Sequence, residues 1–189
     1  MSHPRLIIGI TGASGIIYGL RALELCRELE VETHLILSKA GVLTLEYETD
    51  LKPDDVKALA DVVHSHGDLG AACSSGSYQT LGMLVAPCSM KTLAEIASGV
   101  TSNLVSRSAD VTLKERRRLV LLTRETPLTS IHIRNMADVT AAGGIIAPPV
   151  PAFYTKPDSL DDIIDHTVSR ALDLFGLDTG RLKRWKDSE

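Results

Sequence analysis

Residues 6–20 read Leu6-Ile-Ile-Gly-Ile-Thr-Gly-Ala-Ser-Gly-Ile-Ile-Tyr-Gly-Leu20, and the reading of the whole chain starts from them. Leu6 to Ile10 is an apolar run of strand length, Gly12-Ala13-Ser14-Gly15 is a turn of small residues, and a helix opens at Ile16. A buried strand, a tight turn and a helix make the first crossover of an α/β domain. Glycine lets the backbone bend sharply and approach a ligand where a side chain would obstruct it. Free amides at a helix start, at the positive end of its dipole, suit a phosphate. The turn is read as a phosphate cradle, with a tight turn lacking any ligand as the alternative.

The same alternation continues outward. The first helix runs from Ile16 to near Leu29, a second strand from Thr33 to Leu37, and Ser38 caps a helix from Lys39 to near Tyr47. Pro53-Asp54-Asp55-Val56 carries the proline and acids of a helical first turn. Residues 65–80, rich in Gly and Ser, read as a loop. Strands are expected at Gly82–Pro87, Leu119–Thr123 and Ile145–Ala147. Helices are expected after Ser89 to near Ala97, over Asn103–Glu115 and over Ser130–Ala141. Ser159-Leu160-Asp161-Asp162 has the form of a capping box for a last helix ending near Phe175. The pattern predicts a single-domain, three-layer, doubly wound α/β fold, Rossmann-like or flavodoxin-like, with a mainly parallel sheet. Residues 176–189 read as a C-terminal tail.

With 189 residues, 44% of them apolar, the chain has the material for one substantial core and is not a disordered segment. A formal net charge of −4 and the lack of a long basic block speak against a nucleic-acid partner. The dense charge run Lys114-Glu115-Arg116-Arg117-Arg118 is short and mixed, and reads as a solvated turn before a strand. Cys26, Cys73 and Cys88 are odd in number and form no CxxC pair, which fits a reducing compartment. No signal-peptide pattern is evident, and no apolar segment nears the roughly 20 residues of a membrane span. The expected location is the cytoplasm, with no membrane partner.

In doubly wound sheets, ligands bind beyond the carboxyl ends of the strands. Those ends carry Gly12-Ala13-Ser14, Ser38, Pro87-Cys88-Ser89, Arg124-Glu125 and Pro148 to Tyr154. Small, hydroxylic and cationic groups shared among five strands suit a nucleotide-sized ligand with a phosphate tail. A P-loop requires Gly-Lys-Ser/Thr after its turn, whereas Gly15-Ile16-Ile17 follows here. A dinucleotide fold places an acid near the end of the second strand, where this chain has Ser38-Lys39, so NAD is disfavoured while NADP stays open. None of Tyr18, Tyr47, Tyr78 and Tyr154 begins a Tyr-x-x-x-Lys pattern of short-chain dehydrogenases. A mononucleotide remains, and flavin mononucleotide (FMN) is the natural candidate. Cys88 reads as a buried small residue rather than a nucleophile. His64-Ser65-His66-Gly67-Asp68 reads as a polar loop rather than a metal site, and no metal is expected. His132 and His166 read as helix-surface residues.

Six segments, taken together, resemble the flavin prenyltransferases of the UbiX family, which includes small partner subunits of phenolic-acid decarboxylases. They are Gly9–Gly15, Tyr47-Glu-Thr-Asp50, Pro87-Cys-Ser89, Ala109 to Arg117, Arg124-Glu-Thr-Pro127 and Pro151-Ala-Phe-Tyr154. Arg184-Trp185 is similar to the family's closing motif. The resemblance covers nearly the whole chain in order. It implies a metal-independent enzyme that joins a dimethylallyl group from dimethylallyl monophosphate to reduced FMN, across N5 and C6. The prenylated FMN would pass to a UbiD-type decarboxylase. It also implies a homo-oligomer, a dodecamer, with sites completed by neighbouring subunits. Two rival activities are an FMN-dependent decarboxylase of the cysteine-decarboxylase-like group and a non-catalytic FMN carrier. The decarboxylases typically carry Pro-Ala-Ser-Ala-Asn-Thr where this chain has Pro87-Cys-Ser-Met-Lys-Thr92.

Residue by residue, the resemblance assigns Gly12, Ala13, Ser14, Ser38, Ser89, Met90, Lys91, Thr92 and Arg124 to FMN. Backbone amides, hydroxyls and a planar Arg fork are the groups a phosphate and a flavin edge require. Lys114, Tyr154 and Arg170 are assigned to the prenyl phosphate. Without the resemblance, Arg170 would read as a surface partner of Asp173. Glu125 is expected to move a proton linked to the departing phosphate or to flavin N5, and Glu48 with Ser14 forms a second acid–hydroxyl pair. Arg107 matches a position near the active site. Some relatives carry a tryptophan in the loop corresponding to residues 69–72. Here that loop has none, so either Trp185 supplies the aromatic wall or flavin stacking replaces it.

Overall fold

The apolar run that opens the chain forms a central strand, Arg5–Ile10 (β1). It is followed by helix Ile16–Glu28 (α1), strand Glu32–Leu37 (β2) and helices Lys39–Glu48 (α2) and Pro53–Lys57 (α3). A short strand, Val62–His64 (β3), leads into the 65–80 loop, and Gly82–Cys88 (β4) is the other central strand. Helices Met90–Ser98 (α4) and Leu104–Lys114 (α5), strand Arg118–Thr123 (β5) and helix Ser130–Ala141 (α6) follow. Strand Ile145–Ile146 (β6) and helix Leu160–Asp173 (α7) complete the order. This computed structural model describes residues 4–186.

The strands form one sheet in the order β3-β2-β1-β4-β5-β6, and every pairing is parallel. Because side chains alternate across a strand, each strand feeds two cores. Leu6, Ile8, Ile10, Leu35, Leu84, Val120 and Leu122 pack against Leu20 and Leu23 of α1 and Val168 and Leu172 of α7. Ile7, Ile36, Met83, Val85, Leu119 and Leu121 pack on the other face against Leu93 of α4, Val105 of α5 and Val139 of α6. Strands buried on both faces explain why β1, β4 and β5 read as continuous apolar runs. The result is the expected three-layer arrangement. Among the described residues, no helix is long and apolar enough to cross a membrane.

Chain order reverses between β1 and β4, the place where such sheets open a crevice. Thr11 ties the two strand ends together there. Its Oγ1 donates to the Pro87 carbonyl at 2.7 Å and accepts from the Ser89 amide at 2.9 Å.

Three details differ from the sequence reading. The edge strand β3 was not expected, because three residues give no readable periodicity; pairing with His34–Ile36 of β2 defines it. The last helix ends at Asp173, and Phe175 sits in the turn beyond it, donating its amide to Leu172. The 114–118 run is not merely solvated. Arg117 donates to the carbonyls of Tyr78 (2.7 Å) and Gly76 (2.6 Å), Arg118 donates to the Leu174 carbonyl, and Lys114 pairs with Glu115. Arg117 thereby pins the 65–80 loop, whose backbone carbonyls lack strand partners of their own.

Candidate functional site

The first cleft lies at the switch point, about 250 Å³ in volume, between the N-termini of α2 and α4. Ser38 caps α2, accepting from the Gly41 amide at 2.9 Å. Ser89 caps α4, accepting from the Thr92 amide at 3.3 Å and donating to Thr92 Oγ1 at 3.1 Å. Both caps are therefore structural as well as wall residues. Lys39, Lys91, Asn103 and His66 complete the lining. Two helix N-termini and two lysines face one space, the environment an anion requires. Lys91 is held by Glu95 at 2.8 Å, and Glu95 also accepts from Asn103 Nδ2 at 2.9 Å.

His66 is a further wall residue, although in sequence it stands only in a polar loop. It follows β3 by two residues, so recognising that strand would have placed it on the carboxyl rim. Its carbonyl accepts from the Leu104 amide at 2.9 Å, tying the loop to the start of α5. Partial burial, with the charges of Lys91 and Lys39 against a weaker pull from Glu95, holds its pKa below the ordinary imidazole value. Lys39, which directly follows the Ser38 cap, is a second wall residue beyond those expected from sequence.

The expected cradle at the start of α1 is built differently. Glu48, at the end of α2, accepts from the Gly15 amide (2.9 and 3.1 Å to its two oxygens) and from the Ile16 amide (2.9 Å). The leading amides of α1 are thus already bound to a carboxylate of the same chain. Gly15 adopts φ 104° and offers no side-chain cap, so Glu48 takes the capping role from another helix. Gly12 is required by packing: a Cβ there would stand 2.4 Å from Ala40 Cβ. The geometry suited to an anion lies instead at the starts of α2 and α4. Partial burial pushes the Glu48 carboxyl up, but the Ser14 hydroxyl, the Ile16 and Gly15 amides and the Arg124 charge outweigh it, leaving its pKa below the ordinary glutamate value.

A second cleft of about 390 Å³ is lined by Ser14, Tyr18, Thr123, Arg124, Glu125 and Val150, among others. Thr123 is 3% exposed and its Oγ1 has no hydrogen-bond partner among the described residues. A buried orphan hydroxyl on a cleft wall fits the polar edge of a ligand. Arg124 is anchored through its amide to the Cys88 carbonyl at 3.2 Å, leaving the guanidinium exposed. Glu125 is exposed, one oxygen accepting from the Thr126 amide at 3.1 Å. Cys88 is fully buried, and burial pushes its thiol pKa far up.

A third cleft, about 270 Å³, shares Pro148 and Val150 with the second. Tyr154, His166, Thr167 and Arg170 supply its polar groups. Tyr154 meets Trp185 edge-on at 5.2 Å between ring centroids and His166 at 6.0 Å, and its hydroxyl donates to the Lys183 carbonyl at 3.3 Å. His166 is therefore a half-buried cleft residue rather than a helix-surface one, because the 150–154 segment and residues 176–186, the C-terminal strap, cover that side of α7. Arg170 pairs with Asp173 at 3.1 Å and also lines the cleft.

Two expected residues, Lys114 and Arg107, line none of the three clefts. Lys114 is the last residue of α5, which leads from Asn103 at the first cleft back toward the amino ends of the strands, where β5 begins, a run of roughly 16 Å. Arg107, one turn into α5, pairs with Asp110 at 2.9 Å. Ala13 donates its amide to the Thr11 carbonyl, shaping the β1 turn, and Met90 begins α4. Among the described residues, no group of three or more His, Cys, Asp or Glu is arranged to hold a metal ion.

A family model described as Flavoprotein matches residues 1–172. The flavin prenyltransferase UbiX of Neisseria meningitidis is 56% identical over 182 residues, covering 96% of both chains. This chain belongs to the UbiX-type flavin prenyltransferase family. Among solved structures, AnUbiX (PadA1), in complex with FMN and dimethylallyl pyrophosphate, shares 55% identity and a TM-score of 0.97 with this family member, covering each chain completely. A dodecameric FMN-dependent UbiX-like decarboxylase from Escherichia coli O157:H7 shares 50% identity and a TM-score of 0.93, covering 96% of this chain and 99% of its own.

Proposed function

We propose that this chain is a flavin prenyltransferase, which transfers the dimethylallyl group of dimethylallyl monophosphate to reduced FMN and makes prenylated FMN for a UbiD-type decarboxylase. One observation carries the reading: an anion-suited cleft at the switch point and a separate cleft bearing Arg170 and Tyr154 lie along one chain. That chain shares a TM-score of 0.97 with a relative whose structure holds FMN and dimethylallyl pyrophosphate together. Reduced FMN supplies the nucleophilic N5 and C6 to which the five-carbon group is joined.

The donor set fits FMN. Ser38, Ser89, Lys91 and Thr92, with Lys39 and His66 added, would hold its phosphate. Gly12 and Ser14 line the two clefts, Ala13 and Met90 would contact the ligand from the β1 turn and the start of α4, and Arg124 with the Thr123 hydroxyl faces the second cleft, where the flavin ring would lie. Arg170 and Tyr154 bind the prenyl phosphate, and Trp185 backs Tyr154 with an apolar wall. As the C–O bond breaks, the phosphate leaves with the electron pair, so cationic side chains stabilise it where its charge grows. Glu125, exposed at the cleft mouth, exchanges the proton linked to phosphate departure or to flavin N5. Glu48 keeps Ser14 oriented toward the second cleft as an acid–hydroxyl pair.

Lys114 and Arg107 complete the site from a neighbouring copy, since α5 carries Lys114 away from the rim of its own chain. The assembly is a homo-oligomer, a dodecamer like that of the Escherichia coli relative. The enzyme works without a metal, in the cytoplasm. Purified protein incubated anaerobically with reduced FMN and dimethylallyl monophosphate should yield a flavin heavier by one five-carbon unit in mass spectrometry. Unmodified flavin from protein with FMN demonstrably bound would overturn the proposal.

A further inference from the structure

The C-terminal strap is held to the body by a carboxylate that no part of the mechanism above uses. Asp173, the last residue of α7, stands between two arginines. Its Oδ2 accepts from Arg170 Nη1 at 3.1 Å, and its Oδ1 accepts from Arg184 Nη2 at 2.5 Å, with Arg184 Nη1 3.4 Å from Oδ2. Arg184 grips the carboxylate with two prongs, whereas Arg170 uses one N–H group and keeps its other donors for an anion. We propose that Asp173 is a positioning residue, holding Arg170 at the third cleft and docking the strap that sets Trp185 against Tyr154. The proposal rests on the reading of that cleft as the prenyl phosphate subsite.

An arginine as exposed as Arg170, 55% at its side chain, samples many rotamers when unrestrained. A lone exposed ion pair restrains it little. Asp173 differs in being 22% exposed and shared by two guanidinium groups, so its orientation is set from the strap as well as from α7. The strap has anchors of its own further back: Thr179 donates to Ser169 Oγ at 2.7 Å, and Arg181 pairs with Glu28 at 2.6 Å. Neutralising Asp173 therefore leaves the strap attached at 179–181 and loosens residues 183–185, which carry the Lys183 carbonyl and the Trp185 ring onto Tyr154.

Trp185 is the chain's single tryptophan, so its emission reports strap docking without any ligand. In the full-length protein, Asp173→Asn should lower the fluorescence anisotropy of that emission, because the docked ring is already 68% exposed and undocking frees its motion. Its KM for dimethylallyl monophosphate should rise about five- to tenfold with kcat within about twofold. FMN affinity should not move, and Asp173→Glu should restore both readouts. An unchanged KM in Asp173→Asn overturns the proposal, as does unchanged Trp185 anisotropy. Arg170→Ala separates the two levels of failure. If it raises KM while Asp173→Asn does not, Asp173 alone is misassigned; if neither variant changes KM, the cleft is not the prenyl phosphate subsite.

Discussion

Glu48→Gln tests the capping of α1 by a residue from another helix. The carboxylate accepts from the amides of Gly15 and Ile16 with both oxygens engaged. Glutamine keeps one acceptor oxygen and turns an NH₂ group toward amides that are themselves donors. Loss of a helix N-cap costs about 0.5–2 kcal/mol. Charge-assisted hydrogen bonds can exceed that, but Glu48 is exposed and its charge is screened, so about 1–2 kcal/mol is the expected loss at pH 7. For a chain of this size that corresponds to roughly 2–8 °C in Tm. The folded-state pKa of Glu48 lies below its ordinary value. Its stabilisation is therefore fully present above the ordinary glutamate range and is lost as pH falls through the folded value. Urea unfolding followed by circular dichroism, at one protein concentration and from pH 7 down to pH 3.5, should show the two proteins converging at the acid end. A gap of equal size at both ends, or none at pH 7, would refute the ionised cap.

The remaining predictions concern packing, proton transfer and the first cleft. Gly12→Ala, whose Cβ would stand 2.4 Å from Ala40 Cβ, should cost about 1–3 kcal/mol in thermal or urea unfolding; a neutral effect would return Gly12 to a ligand-only role. Glu125→Gln should retain FMN and slow prenyl transfer by about 10²–10⁴-fold, measured as single-turnover rates; normal turnover would remove Glu125 from the mechanism. His66 has its pKa held down in the cleft by burial and by Lys91 and Lys39, and a bound phosphate would favour its protonated form. FMN should accordingly bind more tightly as pH falls through the His66 titration, and His66→Gln should flatten that dependence in a binding titration. Identical pH profiles would exclude contact between His66 and the phosphate.

The alternation of buried strands and helices was legible from residues 6–20 outward, because strands covered on both faces leave continuous apolar runs such as Leu119–Leu122. The caps Ser38, Ser89 and Ser159 were legible for a local reason: each accepts from an amide three residues on. The short strand Val62–His64 was not, since its identity comes from pairing with β2, and His66 was lost with it.

What the amino-acid order determined by itself is the set of elements and the residue types gathered at their carboxyl ends, because both follow from periodicity and from contacts a few residues apart. Which of those ends is suited to an anion was decided by tertiary structure. Glu48 reaches the start of α1 across more than thirty positions of chain, so the amides that look free in the sequence are occupied. The starts of α2 and α4, brought together where the strand order reverses, are left to face an open cleft. Long-range pairing of charge with backbone, rather than local pattern, made that choice.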